Sequence, residues 1–396
     1  MSKTTQGSAP QQWQAYLEQL LPLGNLIGAT LTPEDKQLEM ESFQYLLMII
    51  SHAYPLVFND VEHPDLRPLI NNVFILGGPN PDTVYWHAPL SDQGVYKISG
   101  WRGSVLYADF QLGERLFGFA EVPGPATAAK RIDDLSIDKN GHFEFILSST
   151  KPDDYQGNWM AMPAGTDYLI IRQVAYDWLH EEDARISIER LDKEALKTRN
   201  TVSAVDEKIN SLMAFVRNQA TIWPQLIGAL NKKTERNNWH ETPYGAVGGA
   251  KGQQYYEGLY EIGLDEVLLI ETEMPSTCLY WNIQLSDQLF QTHEFMHRQS
   301  HLNGHLAKPD SDGILRFVIA HQDPLISNWL DTTGKALGHM IFRWTDASST
   351  PKPTARLIKL ANLDDHLPAD VKRITATERK KRLRERLLGA QLRRRW

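Results

Sequence analysis

The chain repeats itself, and the repeat constrains the fold more than any local propensity does. Leu106-Tyr107-Ala108-Asp109-Phe110-Gln111-Leu112-Gly113-Glu114-Arg115-Leu116-Phe117 reads against Leu279-Tyr280-Trp281-Asn282-Ile283-Gln284-Leu285-Ser286-Asp287-Gln288-Leu289-Phe290, with six of twelve positions identical. The match continues in register. Gly141-His142-Phe143-Glu144-Phe145-Ile146 answers Gly313-Ile314-Leu315-Arg316-Phe317-Val318, Asn158-Trp159-Met160 answers Asn328-Trp329-Leu330, and Ile170-Ile171-Arg172 answers Ile341-Phe342-Arg343. The offset stays between 170 and 173 residues. A period of that size means a duplicated domain, not a short solenoid repeat. The two copies should share one strand order, with Trp159 equivalent to Trp329 and Arg172 to Arg343.

Local signals fill in the rest. Gln11 to Leu21 reads as an amphipathic helix, and Thr32-Pro33-Glu34-Asp35 as the start of another running to about Ala53. Residues 69–192 and 255–366 carry short alternating runs separated by Gly, Pro, Asp and Asn, the pattern of strands and tight turns. Between them, Ser203-Ala204-Val205-Asp206 opens a helix that Pro224 kinks or ends, followed by a Gly-rich connector over 241–254. Thr375-Ala376-Thr377-Glu378 is a capping box leading into a basic C-terminal helix in residues 367–396. The fold expected is α+β, mainly β. It comprises an N-terminal helical region (1–68), two tandem antiparallel β-sandwiches of jelly-roll type, each with one buried sheet face, and connecting and terminal helices.

Charge and cysteine content narrow the class. The net charge of −8 conceals a tail, Val371 to Trp396, with eleven Lys/Arg and two Glu, so +9 there and −17 in the rest. An acidic body argues against nucleic-acid binding, except through that tail, which could equally dock on its own chain or on a neighbouring subunit. The single cysteine, Cys278, excludes an intrachain disulfide and fits a reducing compartment. With no secretory signal visible and no apolar run long enough to span a membrane, a cytoplasmic protein is expected.

Specific wording stands in the second half: Tyr280-Trp281-Asn282-Ile283-Gln284-Leu285, Arg298-Gln299-Ser300, Leu302-Asn303-Gly304-His305, Asp312-Gly313, His321-Gln322-Asp323-Pro324, Asn328-Trp329-Leu330-Asp331 and Arg343. It resembles the domain-of-unknown-function family numbered 1214. Asn80-Pro81-Asp82-Thr83-Val84-Tyr85 looks like the opening motif of its companion, numbered 1254. The resemblance implies two jelly-roll sandwiches in tandem, often assembled into oligomers, and brings no established reaction.

Several constellations could carry chemistry. His293-Glu294-Phe295-Met296-His297 matches the H-E-x-x-H zinc pattern, and His301 and His305 extend it as a ladder at intervals of four. The extended zinc signature fails, however, with Ser300 and Asn303 where Gly and His would stand. His305 and His321 are the acid–base candidates, because imidazole titrates near neutrality. Arg298 could hold an anion, Ser300 could be a nucleophile if a histidine activates it, and Asp82 could be a base. Asn80, Tyr85, Trp86, Tyr280, Trp281, Asn303 and Arg343 would form the substrate walls. Arg172 and Arg343, at the ends of equivalent strands, read as structural ion pairs by default. Gly245 to Gly252 lacks the Gly-Lys-Ser/Thr ending of a phosphate loop and reads as a connector or lid.

The function expected is acid–base enzymology on a small, largely apolar molecule with a polar or anionic handle, with no cofactor and no metal. The alternatives are a non-catalytic ligand-binding or assembly protein, and a metal-dependent hydrolase using the ladder from His293 to His305. The partners expected are a small-molecule ligand and further copies of the chain.

Overall fold

The computed structural model describes residues 9–393. Helices α1 (Ala9–Glu18) and α2 (Lys36–Val57) come first. Asp35 caps α2, its carboxylate accepting from the amides of Gln37 and Leu38, which satisfies donors the first turn leaves open. The helix therefore starts after Asp35 and not at Thr32-Pro33, and it runs past Ala53 because Pro55 falls in its last turn.

The first β unit supplies β1 (Arg67–Pro68), β2 (Thr83–Pro89), β3 (Tyr96–Trp101), β4 (Tyr107–Gly113), β5 (Ala126–Arg131), β6 (His142–Ser148), β7 (Asn158–Ala161), β8 (Tyr168–Val174) and β9 (Arg185–Arg190). Helix α3 (Val202–Lys233) follows, capped by Thr201; it does not end at Pro224 but continues to Lys233. The second unit supplies β10 (His240–Glu241), β11 (Gln253–Glu261), β12 (Glu266–Glu273), β13 (Cys278–Ser286), β14 (His301–Asn303), β15 (Ile314–Ala320), β16 (Trp329–Asp331), β17 (Leu337–Ala347) and β18 (Thr354–Lys359). Helix α4 (Ala376–Leu392) closes the chain with the Thr375/Glu378 capping box formed.

Each unit is a sandwich of a five-stranded and a four-stranded sheet. The orders are β1-β2-β8-β4-β5 over β7-β6-β3-β9, then β10-β11-β17-β13-β14 over β16-β15-β12-β18. Adding nine to each strand of the first unit gives the second. The equivalence extends to register: Trp159 lies opposite Ile146 and Trp329 opposite Val318. Arg172 sits between Tyr85 and Asp109, and Arg343 between Tyr255 and Asn282. The fold is α+β and mainly β, as read from the sequence. The sheets are not wholly antiparallel, because β6–β7 and β15–β16 run parallel.

Each sandwich has its own apolar core, built in the first from residues such as Phe110, Phe145 and Ile171 and in the second from Ile283, Phe317 and Phe342. The other face of each five-stranded sheet was expected to meet solvent, yet β4 and most of β13 and β17 are buried on both faces. The reason is that the two five-stranded sheets face each other. Tyr107 and Tyr280 meet edge to face across the gap at 6.1 Å, and Arg131 pairs with Asp346 at 2.8 Å. Helices α2 and α3 close one side, packing on Tyr168, Ile170, Leu259 and Leu337 from both units. No helix among the described residues is long and apolar enough to cross a membrane.

Helix α4 docks on its own chain. Arg379, Arg386 and Arg393 recur every seven residues and so share one face. Arg379 reaches Asp323 and the carbonyl of Ile326, Arg386 the carbonyl of Phe295 and the ring of His301, and Arg393 Asp183 and the carbonyl of Asp82.

Candidate functional site

Strand alternation sends Tyr107, Asp109 and Gln111 of β4 to the side opposite the sandwich core, and Tyr280, Asn282 and Gln284 of β13 likewise. Because the two inner sheets oppose each other, these polar rows line one interdomain space. Part of it stays open as a cavity of about 430 Å³, within the size range of small-molecule sites. Its apolar walls include Ile70, Phe117, Ile222, Trp223, Leu226 and Phe290, and its polar groups include Tyr85, Tyr107, Tyr244, Tyr255, Glu121, Arg172 and Arg343. The connector supplies the remaining wall from Val247 to Ala250. Gly248 takes φ +88° there, which favours glycine. Its carbonyl accepts from Arg172 and from Gln111, both at 3.0 Å.

The duplication makes the two arginines equivalent, and one substitution separates them. Arg172 donates to Gln111 at 2.8 Å and lies 3.9 Å from Asp109. Burial raises the Asp109 pKa, against the pull of Arg172 and Arg131. Arg343 donates to Gln284 at 2.6 Å and to Asn282 at 3.2 Å. Asn282 stands where the first copy has Asp109, so Arg343 is buried, faces the cavity and has no carboxylate within ion-pair distance among the described residues. A buried cation without a counter-ion is costly.

Behind the cavity wall is a buried network centred on Asp82. Its carboxylate accepts from Trp178 Nε1 (2.8 Å), Asn303 Nδ2 (2.7 Å), Tyr280 OH (2.7 Å) and His301 Nε2 (2.8 Å). Burial works to raise the Asp82 pKa, and the His301, Tyr280 and Asn303 contacts outweigh it, holding the carboxyl below the usual range. Burial lowers the His301 pKa, and Arg386 donates to its Nδ1 at 3.0 Å, so the ring is neutral and carries its proton on Nε2. Burial also pulls Arg386 down to about 10, so it remains charged at neutral pH. Trp178 stacks on His301 at 5.6 Å and beneath Arg386 at 4.7 Å. Asn80 bridges network and cavity: it lines the cavity, donates to Tyr280 OH at 2.8 Å and accepts from Asn282 at 2.9 Å.

Of the residues singled out from the sequence, the structure brings Asn80, Tyr85 and Arg343 to the cavity, and Asp82, Tyr280 and Asn303 to the network beside it. The others lie elsewhere. His305 is half exposed, 3.9 Å from Asp177. His321 has both ring nitrogens engaged, by Thr332 at 2.8 Å and the carbonyl of Ile262 at 3.2 Å. Arg298 is held by Asp331 through two 2.8 Å bonds. Ser300 is buried against the carbonyls of His293 and Glu294, with no base beside it. Trp281 is in the core of the second sandwich, and Trp86 lines a groove on the opposite side of its sheet. Residues 293–297 are not helical; His293 is buried on Tyr260 while His297 is exposed. No group of three His, Cys, Asp or Glu side chains suited to a metal forms among the described residues. Sequence reasoning missed Arg172, Tyr107, Tyr244 and Trp223 as cavity residues. The signal for the first two was present: polar residues at alternate positions in both copies of the repeat.

The family model described as "Protein of unknown function (DUF1214)" matches residues 266–349. No curated protein matches the chain. Among solved structures, an uncharacterised protein from Burkholderia cenocepacia shares 27% identity at a TM-score of 0.83, covering 89% of this chain and 97% of that one. A protein from Vibrio parahaemolyticus shares 11% identity at a TM-score of 0.45, covering 80% and 98%. Residues 266–349, from β12 to just past β17, thus resemble the DUF1214 family, and the first sandwich is tied to them by its repeated strand order.

Proposed function

We propose that the protein binds a small, largely apolar molecule bearing one anionic group, seated in the interdomain cavity with that group on Arg343. The carrying observation is the buried, cavity-facing Arg343, which has no carboxylate within ion-pair distance among the described residues and is set among apolar and tyrosine walls. A ligand anion would supply the missing charge through a charge-assisted, two-pronged hydrogen bond. Binding is favoured over acid–base catalysis by His305 and His321, because neither ring lines the cavity. The 1254-like character of the first half, carried by Asn80-Pro81-Asp82, and a cytoplasmic location, inferred from the single Cys278, belong to the same proposal.

The test is calorimetric titration with a panel of small aromatic and aliphatic monocarboxylates, each paired with its primary amide. Carboxylates should bind and their amides should not. Arg343→Met should weaken binding by roughly 10–100-fold, the worth of one charged hydrogen-bond pair. Amides that bind as well as acids, or a panel in which nothing binds, would overturn the reading.

A further inference from the structure

The outer face of α2 carries an apolar line that, apart from the stacking of Tyr54 on Phe58, has no partner among the described residues. Met40, Phe43, Leu47, Ile50 and Tyr54 are 37% to 65% exposed, although α2 packs its other face into the helical core through Leu38, Tyr45, Ile49 and Leu56. An exposed helix face normally turns polar. Here the apolar positions step by three and four residues, the spacing of a coiled-coil seam. The polar residues beside the line, Gln44 and Ser51, carry no charge.

We propose that α2 is a self-association surface at which two copies of the chain pack their α2 helices antiparallel about a two-fold axis near Leu47. The line is nearly symmetric about that residue. Antiparallel packing sets Met40 against Tyr54 of the other copy, Phe43 against Ile50, and Leu47 against itself, so the patch is its own complement, as an isologous contact requires. The five side chains form an apolar patch on the order of 500 Å², at the upper end of what a monomer exposes. That is more than half of the ~800 Å² per partner in a standard interface. The charges flanking the line are Lys36 against Glu39 and Glu41. Glu41 is in turn paired with Lys335, so the flanking charges cancel; without a basic excess the face does not suit an amphipathic helix lying on an anionic membrane, which leaves a second copy as the occupant.

Sedimentation of the full chain across the micromolar range tests this, with Leu47→Glu and with Leu47→Cys in a Cys278→Ser background. Wild type should run as a dimer. Leu47→Glu should run as a monomer with unchanged far-ultraviolet circular dichroism, since the site is on the surface. A short bis-maleimide should link Leu47→Cys into a covalent dimer. A monomeric wild type, a dimer that survives Leu47→Glu, a dimer that the reagent fails to link, or co-sedimentation of wild type with lipid vesicles would each overturn the proposal.

Discussion

At the scale of single residues, charge compensation decides what each group can do. Arg172 and Arg343 occupy one position in two copies, yet Asp109 accompanies only the first. Replacing Arg172 with Met leaves Asp109 buried without its partner and should cost about 3 kcal/mol. Arg343→Met removes a buried cation without a carboxylate partner but orphans its buried acceptors on Gln284 and Asn282, so the unliganded protein should lose about 1–2 kcal/mol, less than the Arg172 variant. Urea melts of the two variants check this asymmetry without any ligand. Two buried histidines set the acid limit. Burial pushes His52 down to about 4, and burial with repulsion from His52 and Arg67 pushes His87 down to about 3. The unfolded chain takes up these protons first, from about pH 6.5 downward. The stability tied to the neutral rings is therefore whole above that pH and declines as pH falls towards 4 and then 3. Melts from pH 8 to pH 4 should show the decline, and His52→Gln should flatten part of it; an unchanged slope would contradict the assignment.

At the scale of elements, α4 is a clamp. Its three inward arginines join acceptors from both sandwiches: Asp323 and His301 in the second, Asp183 and the carbonyls of Asp82 and Gln173 in the first. Removing Arg386 orphans buried acceptors at about 1–3 kcal/mol each. Arg386→Met should therefore lower the urea midpoint clearly, and Arg386→Lys should restore only part of it, because an ammonium cannot reproduce the planar fork. By contrast His305→Ala, half exposed and loosely placed near Asp177, should leave the midpoint within about 0.5 kcal/mol of wild type. Comparing the three midpoints distinguishes a clamped terminal helix from a decorative one.

At the scale of the whole molecule, the polar faces of the two inner sheets are buried only because each covers the other. Neither sandwich can leave its partner without exposing Tyr107 or Tyr280 and breaking the bonds Asn80 and Asp82 make to the second unit. Calorimetric unfolding should therefore be one transition with matching van't Hoff and calorimetric enthalpies; two resolved peaks would show independent units. This coupling also marks where the sequence stops being informative. The duplication, the strand alternation and the Thr375/Glu378 box depend on neighbours a few residues apart or on comparing one copy with the other, so they could be read directly from the chain. The alternate polar positions at Tyr107, Asp109 and Gln111 were visible too, but they suggest a solvent face until a second sheet is known to cover it. Asp82 meets His301 and Arg386 from more than two hundred residues away, and no local pattern encodes that meeting. The histidines that looked most chemical, His305 and His321, stand outside the cavity, because their surroundings are set by loop packing and not by spacing. The repeat supplied two equivalent arginines, and only the closed interface, by burying them, made the difference between Asp109 and Asn282 matter.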